Sequence, residues 1–110
     1  MSATEEFNEY VLELLEPLSG VTAARMFGGV LLKVDGQQLG VLFSNTVYFN
    51  VKDKKLQERY KREGSQQFTY TRKDTKDPVV IQNWWSVPEY AMDNSQEMVR
   101  LAEEVLAQGT

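Results

Sequence analysis

Apolar residues recur at helical spacing at both ends of the chain and at alternating spacing between them. Near the start, Phe7, Val11, Leu14, Leu15 and Leu18 fall on one stripe, which predicts an amphipathic helix over residues 4–18. Ser2 or Thr4 can cap its start, and Pro17 and Gly20 end it. Near the other end, Met98, Leu101, Ala102, Val105 and Leu106 follow the i, i+3, i+4, i+7, i+8 pattern of a helix with one buried face. Asp93-Asn94-Ser95 marks its start.

Between these helices the period changes to two. VLLKV and QQLGVLF flank Asp35-Gly36, the preferred dipeptide of a two-residue hairpin turn. That turn predicts Leu32 opposite Leu39 and Val30 opposite Val41. A second hairpin follows, leading into VYFNV. With two loop residues it would set Leu42 against Val47 and send the third strand's apolar set to the other side. A three-residue loop, Ser44-Asn45-Thr46, is therefore predicted, with Phe43 facing Val47, Val41 facing Phe49 and Leu39 facing Val51. The predicted core face holds Val30, Leu32, Leu39, Val41, Phe43, Val47, Phe49 and Val51.

A charged helix comes next, capped by Asp53 and closed by Gly64, with a thin buried face of Leu56 and Tyr60. QFTYTR (67–72) and VVIQNWW (79–85) read as strands around the polar turn KDTKDP. Ser86-Val87-Pro88-Glu89 has the form of a capping box with proline early in the helix. The order is α-β-β-β-α-β-β-α. It predicts one α+β domain over residues 1–110, with the terminal helices on one face of an antiparallel sheet.

Composition narrows the chemistry. The 110 residues suit a single domain. The chain has no cysteine and no histidine, which removes thiolate nucleophiles, disulfides, zinc–sulfur sites and the usual neutral-pH general base. No signal peptide or membrane span is read from the sequence, so a cytoplasmic location is expected. The acidic pairs Glu5-Glu6, Glu103-Glu104 and Asp74/Asp77 read as solvated surface. No catalytic residue, metal site or cofactor is expected.

The net charge of −4 is unevenly spread. Residues 1–20 carry five acids and no base, whereas 21–85 carry eleven bases against six acids. Half of the basic residues lie in KDKKLQERYKRE, at Lys52, Lys54, Lys55, Arg59, Lys61 and Arg62. The run reads as a solvated helix face or as a patch for an acidic partner or nucleic acid.

Two short motifs remain. In AARMFGG (23–29) the glycines are adjacent and a strand follows, unlike a phosphate loop, which opens a helix. Gly28 and Gly29 are expected to form the entry bend of the sheet, with Met26 and Phe27 beside it. Adjacent strand residues point to opposite faces, so one of Trp84 and Trp85 belongs to the core and the other does not. The second sheet face also collects Leu31, Leu42, Tyr48 and Thr69, which suggests a dimer or partner surface.

Taken in order, Arg25-Met26-Phe27-Gly28-Gly29, a hairpin with Asp-Gly, Phe68-x-Tyr70 and Trp84-Trp85-x-Val87-Pro88-Glu89 resemble the N-terminal domain of the TfoX/Sxy family. Those proteins regulate natural competence in bacteria, and this chain resembles a stand-alone form of the module. The resemblance implies the fold order read above and a non-enzymatic role in transcriptional regulation through protein–protein interaction. It implies a partner such as the cyclic-AMP receptor protein and supplies no catalytic residues. The expected partner surface is Arg25, Met26, Phe27, Gly28, Gly29, Trp84 and Trp85, and a homodimer is a further expectation. The alternatives are nucleic-acid contact through the basic helix, although direct binding is not the leading expectation, and small-ligand binding in a cleft near Arg25.

Overall fold

The computed structural model describes residues 5–26 and 29–108, the side chain of Met26 excepted. Three α-helices, one 3₁₀ turn and six strands follow in the order α-β-β-β-β-α-β-β-3₁₀-α. They are α1 (Glu5–Leu14), β1 (Val21–Met26), β2 (Gly29–Val34), β3 (Gln37–Phe43), β4 (Thr46–Asn50), α2 (Lys54–Arg62), β5 (Gln67–Thr71), β6 (Pro78–Ser86) and α3 (Ser95–Ala107). The strands form one antiparallel sheet in the spatial order β1-β2-β3-β4-β6-β5. The fold is α+β, with the terminal helices packed on one face around a core that includes Leu15, Leu32, Leu39, Phe49 and Leu101.

Strand β1 is absent from the sequence prediction. VTAARM lacks an alternating pattern, and alanine is a poor strand former. Its structure comes from a full ladder with β2, from Val21↔Val34 to Met26↔Gly29. The expected role of the glycines changes accordingly. The sheet begins at Val21, and Gly29 opens the second strand rather than the first. A Cβ on Gly29 would lie 2.6 Å from the Leu42 carbonyl oxygen, so a close approach of neighbouring backbone explains this glycine. Phe27 and Gly28, like the proposed caps Ser2 and Thr4, lie outside the described residues.

The register of the meander also departs from the prediction. The Asp35-Gly36 turn holds, both residues having positive φ and Val34 pairing with Gln37. One step further a bulge shifts the pairing, so that Leu32 faces Gly40, Leu31 faces Val41 and Val30 faces Leu42. The next loop has two residues, not three: Ser44 and Asn45 both take positive φ, and Phe43 pairs with Thr46. Leu42 therefore does face Val47. The bulge makes this consistent, because the extra residue reverses the in–out parity halfway along β3. Leu39 and Leu42 both reach the core, while Val41 and Phe43 turn to the other face. Gly40 makes the crossing possible: a Cβ there would overlap the Tyr48 carbonyl oxygen and lie 2.9 Å from Phe49 Cα.

The helices are anchored by polar contacts around the apolar seam. Ser95 Oγ donates to the Leu14 carbonyl at 2.6 Å, and the Tyr10 hydroxyl donates to the Met92 carbonyl. Asn94 caps α3 by accepting from Glu97 N, and Asp53 caps α2 by accepting from Leu56 N. The capping box expected at Ser86 does not form. Its hydroxyl accepts from Gln66 N at 2.9 Å, just before β5, and the segment after Pro88 is a 3₁₀ turn, Glu89–Asp93.

Candidate interaction surfaces

The face of the sheet opposite the helices is built from rings. Phe68 on β5 lies 5.3 Å from Phe43, 5.1 Å from Tyr48, 5.7 Å from Trp84 and 6.1 Å from Tyr70. The first two contacts are edge-to-face, a favoured aromatic geometry. In the strand order, β4 and β6 separate Phe43 from Phe68. A flat sheet would hold strands three places apart at about 14 Å. The β5–β6 arm therefore curls over this face.

The bend lies in β6. Gln67 pairs with Trp85, but the next residue, Phe68, pairs with Ile81, so residues 82–84 have no counterpart on β5. The Gln82 carbonyl accepts from Trp85 Nε1 at 3.0 Å and from Gln67 Nε2 at 2.9 Å. Asn83 turns to the strand-to-helix connection, its carbonyl accepting from Val51 N at 2.6 Å. The bend is thus held by hydrogen bonds at the Gln82 and Asn83 carbonyls.

The tryptophan pair divides as alternation requires. Trp85 sits in the core at 8% exposure, while Trp84 joins the ring cluster and is half-buried. Leu31, Phe43, Tyr48, Phe68, Val79 and Ile81 are also half-buried, and Tyr70 stands 45% exposed. The outcome is an aromatic surface on the arm and central strands. Leu42, expected on this face, belongs to the core, and Val41 and Phe43 take its place.

Arg25 stands apart from this surface. It lies on the edge strand β1, four strand positions from β6, and forms an exposed 3.4 Å ion pair with Glu5. The structure therefore does not bring Arg25 together with Trp84. Gly29 and Trp85 are buried, and the Met26 side chain, Phe27 and Gly28 lie outside what the structure describes.

The basic helix also separates into parts. Arg59 makes a two-pronged ion pair with Glu104 of α3, with one Nη1–Oε2 distance of 3.0 Å. The Glu104 hydrogen bond raises the already high Arg59 pKa, which holds the charge in place. Lys55 and Arg62 flank this pair along a groove of about 550 Å³ between α2 and α3, closed by Ala107 and Gln108. Lys52, Lys54 and Lys61 lie on the opposite flank, beside Gln57 and Gln67. Among the described residues these five cations form no ion pair. Gln108 ties α3 to the start of α2: its Oε1 accepts from Lys52 N at 2.8 Å and Asp53 N at 3.0 Å.

Beneath α2, Tyr60 is fully buried, and its hydroxyl has no hydrogen-bond partner among the described residues. Burial pushes its pKa up, because the phenolate would be charged in an apolar setting. Among the described residues no acidic cluster is arranged to hold a metal ion. No described helix is long and apolar enough to cross a membrane.

An antiparallel sheet backed by two terminal helices on one face and curled over aromatic side chains on the other defines an α+β module with an open ring surface. The chain matches the TfoX N-terminal domain over residues 13–109 and belongs to that family, which is associated with competence regulation. No curated protein matches it.

Proposed function

We propose that this chain is a non-enzymatic regulatory module that acts in transcriptional regulation by binding another protein, and that the ring surface of Tyr70, Phe68, Trp84 and Phe43 is where it docks. The observation that carries this reading is the aromatic cluster outside the core. Aromatic side chains are enriched at protein interfaces, and a half-exposed set of them on one face fits a docking role better than a structural one. Family membership supports the regulatory part of the reading.

The cyclic-AMP receptor protein is the first partner to test. Titration of the purified receptor into the chain by calorimetry, with and without cyclic AMP, is expected to give saturable binding. Tyr70→Ala and Trp84→Ala are expected to weaken it at least tenfold while the far-ultraviolet dichroism stays unchanged. Binding that is indifferent to both substitutions overturns the assigned surface, and absence of binding overturns this partner.

A second reading is nucleic-acid contact through Lys52 and α2, favoured by the five cations that form no ion pair among the described residues. It predicts an affinity for oligonucleotides that falls steeply with salt. Salt-independent binding, or none, removes it.

A further inference from the structure

We propose that two copies of this chain associate through the free edge of β5, pairing antiparallel about a two-fold axis at Thr69 to give one continuous twelve-stranded sheet. This goes beyond the docking role above and does not rest on it.

The edge is open and unguarded. Strand β5 lies at the end of the sheet with β6 as its strand neighbour. In an antiparallel ladder alternate residues point their N–H and C=O groups away from the neighbour, so β5 presents them outward. Native edges are normally blunted by charge, proline or bulges. Gln67–Thr71, QFTYT, contains no charge and no proline, and its irregularity lies at its first step, before Phe68. Thr69, Tyr70 and Thr71 are exposed. The opposite edge, β1, differs in that it carries Arg25 and mostly small side chains that would add little to a cross-strand pair.

The strand is also self-complementary. Pairing QFTYT with a second copy about Thr69 sets Thr69 against Thr69, Phe68 against Tyr70 and Gln67 against Thr71. Threonine–threonine and aromatic–aromatic pairs are among the favourable cross-strand combinations, and no like charges meet within the strand. A two-fold axis normal to the sheet keeps the same face of both copies on the same side. Phe68 and Tyr70, 6.1 Å apart in one chain, would meet their counterparts as a four-ring ladder. The two ring surfaces would then join into one. A self-complementary patch of this kind is what a two-fold interface requires.

The test uses the full chain. In sedimentation equilibrium across the micromolar to millimolar range, the wild-type mass is expected to rise from 12.6 kDa towards twice that value. Thr69→Lys and Thr69→Asp, each placing like charges at the two-fold, are each expected to remain monomeric, and an equimolar mixture is expected to regain the dimer. Ala24→Lys on β1 is expected to dimerise as the wild type does. A wild type that stays monomeric throughout, a Thr69→Lys variant that still dimerises fully, or loss of the dimer in Ala24→Lys overturns the proposal. Because the chain has no cysteine, a single thiol reads the register independently of those variants. Thr69→Cys is expected to form a disulfide dimer under mild oxidation, since its counterpart lies within bridging range. Thr71→Cys is expected not to do so, its counterpart lying about 14 Å along the strand. Equal cross-linking of the two overturns the register.

Discussion

The two faces of the sheet use the same strands to opposite ends. On the helix side, Leu32, Leu39, Leu42 and Phe49 are fully buried under α1 and α3. On the other side, Phe43 and Tyr48 meet Phe68 edge to face, Trp84 packs against it at a tilt, and all four remain half-exposed, with the curled arm as their cover. The first arrangement is closed by helices and holds the fold together. The second leaves rings within reach of solvent. Covering a face with a curled hairpin instead of a helix leaves its rings partly open to solvent.

The largest test of that contrast is a matched pair of truncations. Phe49→Ala removes a ring at 0% exposure and is expected to cost about 3–5 kcal/mol. Tyr70→Ala, on the open face, is expected to cost less than about 1 kcal/mol. Urea denaturation of both variants measures the difference, and similar losses would erase the distinction between the faces.

Gly40 is the point where β3 switches its side chains between the two faces. Gly40→Ala forces a Cβ onto the Tyr48 backbone and is expected to cost about 2–3 kcal/mol. A loss well below that, again by urea denaturation, would mean that the bulge does not control the parity.

Tyr60 sharpens the buried side of the comparison. Its hydroxyl is buried without a partner among the described residues, so Tyr60→Phe is expected to be neutral or stabilising by about 1 kcal/mol. The same residue gives a pH dependence. Its pKa is raised in the folded chain, so the native state keeps the proton that the unfolded state releases near pH 10. The unfolded state then binds fewer protons, and stability falls as pH rises above about 10. Thermal denaturation between neutral and strongly alkaline pH is expected to show this fall in the wild type and a shallower one in Tyr60→Phe.

The smallest expected effect is at the helix rim. The Arg59–Glu104 pair is about one-third exposed on each side, so a double-mutant cycle to alanine is expected to give a coupling of about 0.5–1 kcal/mol that shrinks with added salt. A coupling of several kcal/mol would place this pair in the closed part of the molecule.

Much of the candidate surface was legible in the sequence, and its assembly was not. Phe68, Tyr70 and Trp84 each stand in a recognisable strand, and adjacent tryptophans had to face opposite ways. That Phe43 joins them depends on the bulge, whose one sequence signal is Gly40 inside an otherwise regular strand. The basic helix was visible as a run of six cations. Its division, with Arg59 drawn away to Glu104, needed a partner 45 residues distant in the chain.

The sequence by itself determined the helices, the Asp35-Gly36 turn and most of the strands, because local periodicity and turn chemistry act within a few residues. Tertiary structure alone decided three things. Strand β1 exists because β2 offers it a full ladder. The Ser44-Asn45 turn is compatible with the core because the bulge reverses parity before it. The ring surface forms because a bend at residues 82–84 carries β5 over the sheet. Each depends on pairing between distant segments, whose energy no local pattern records.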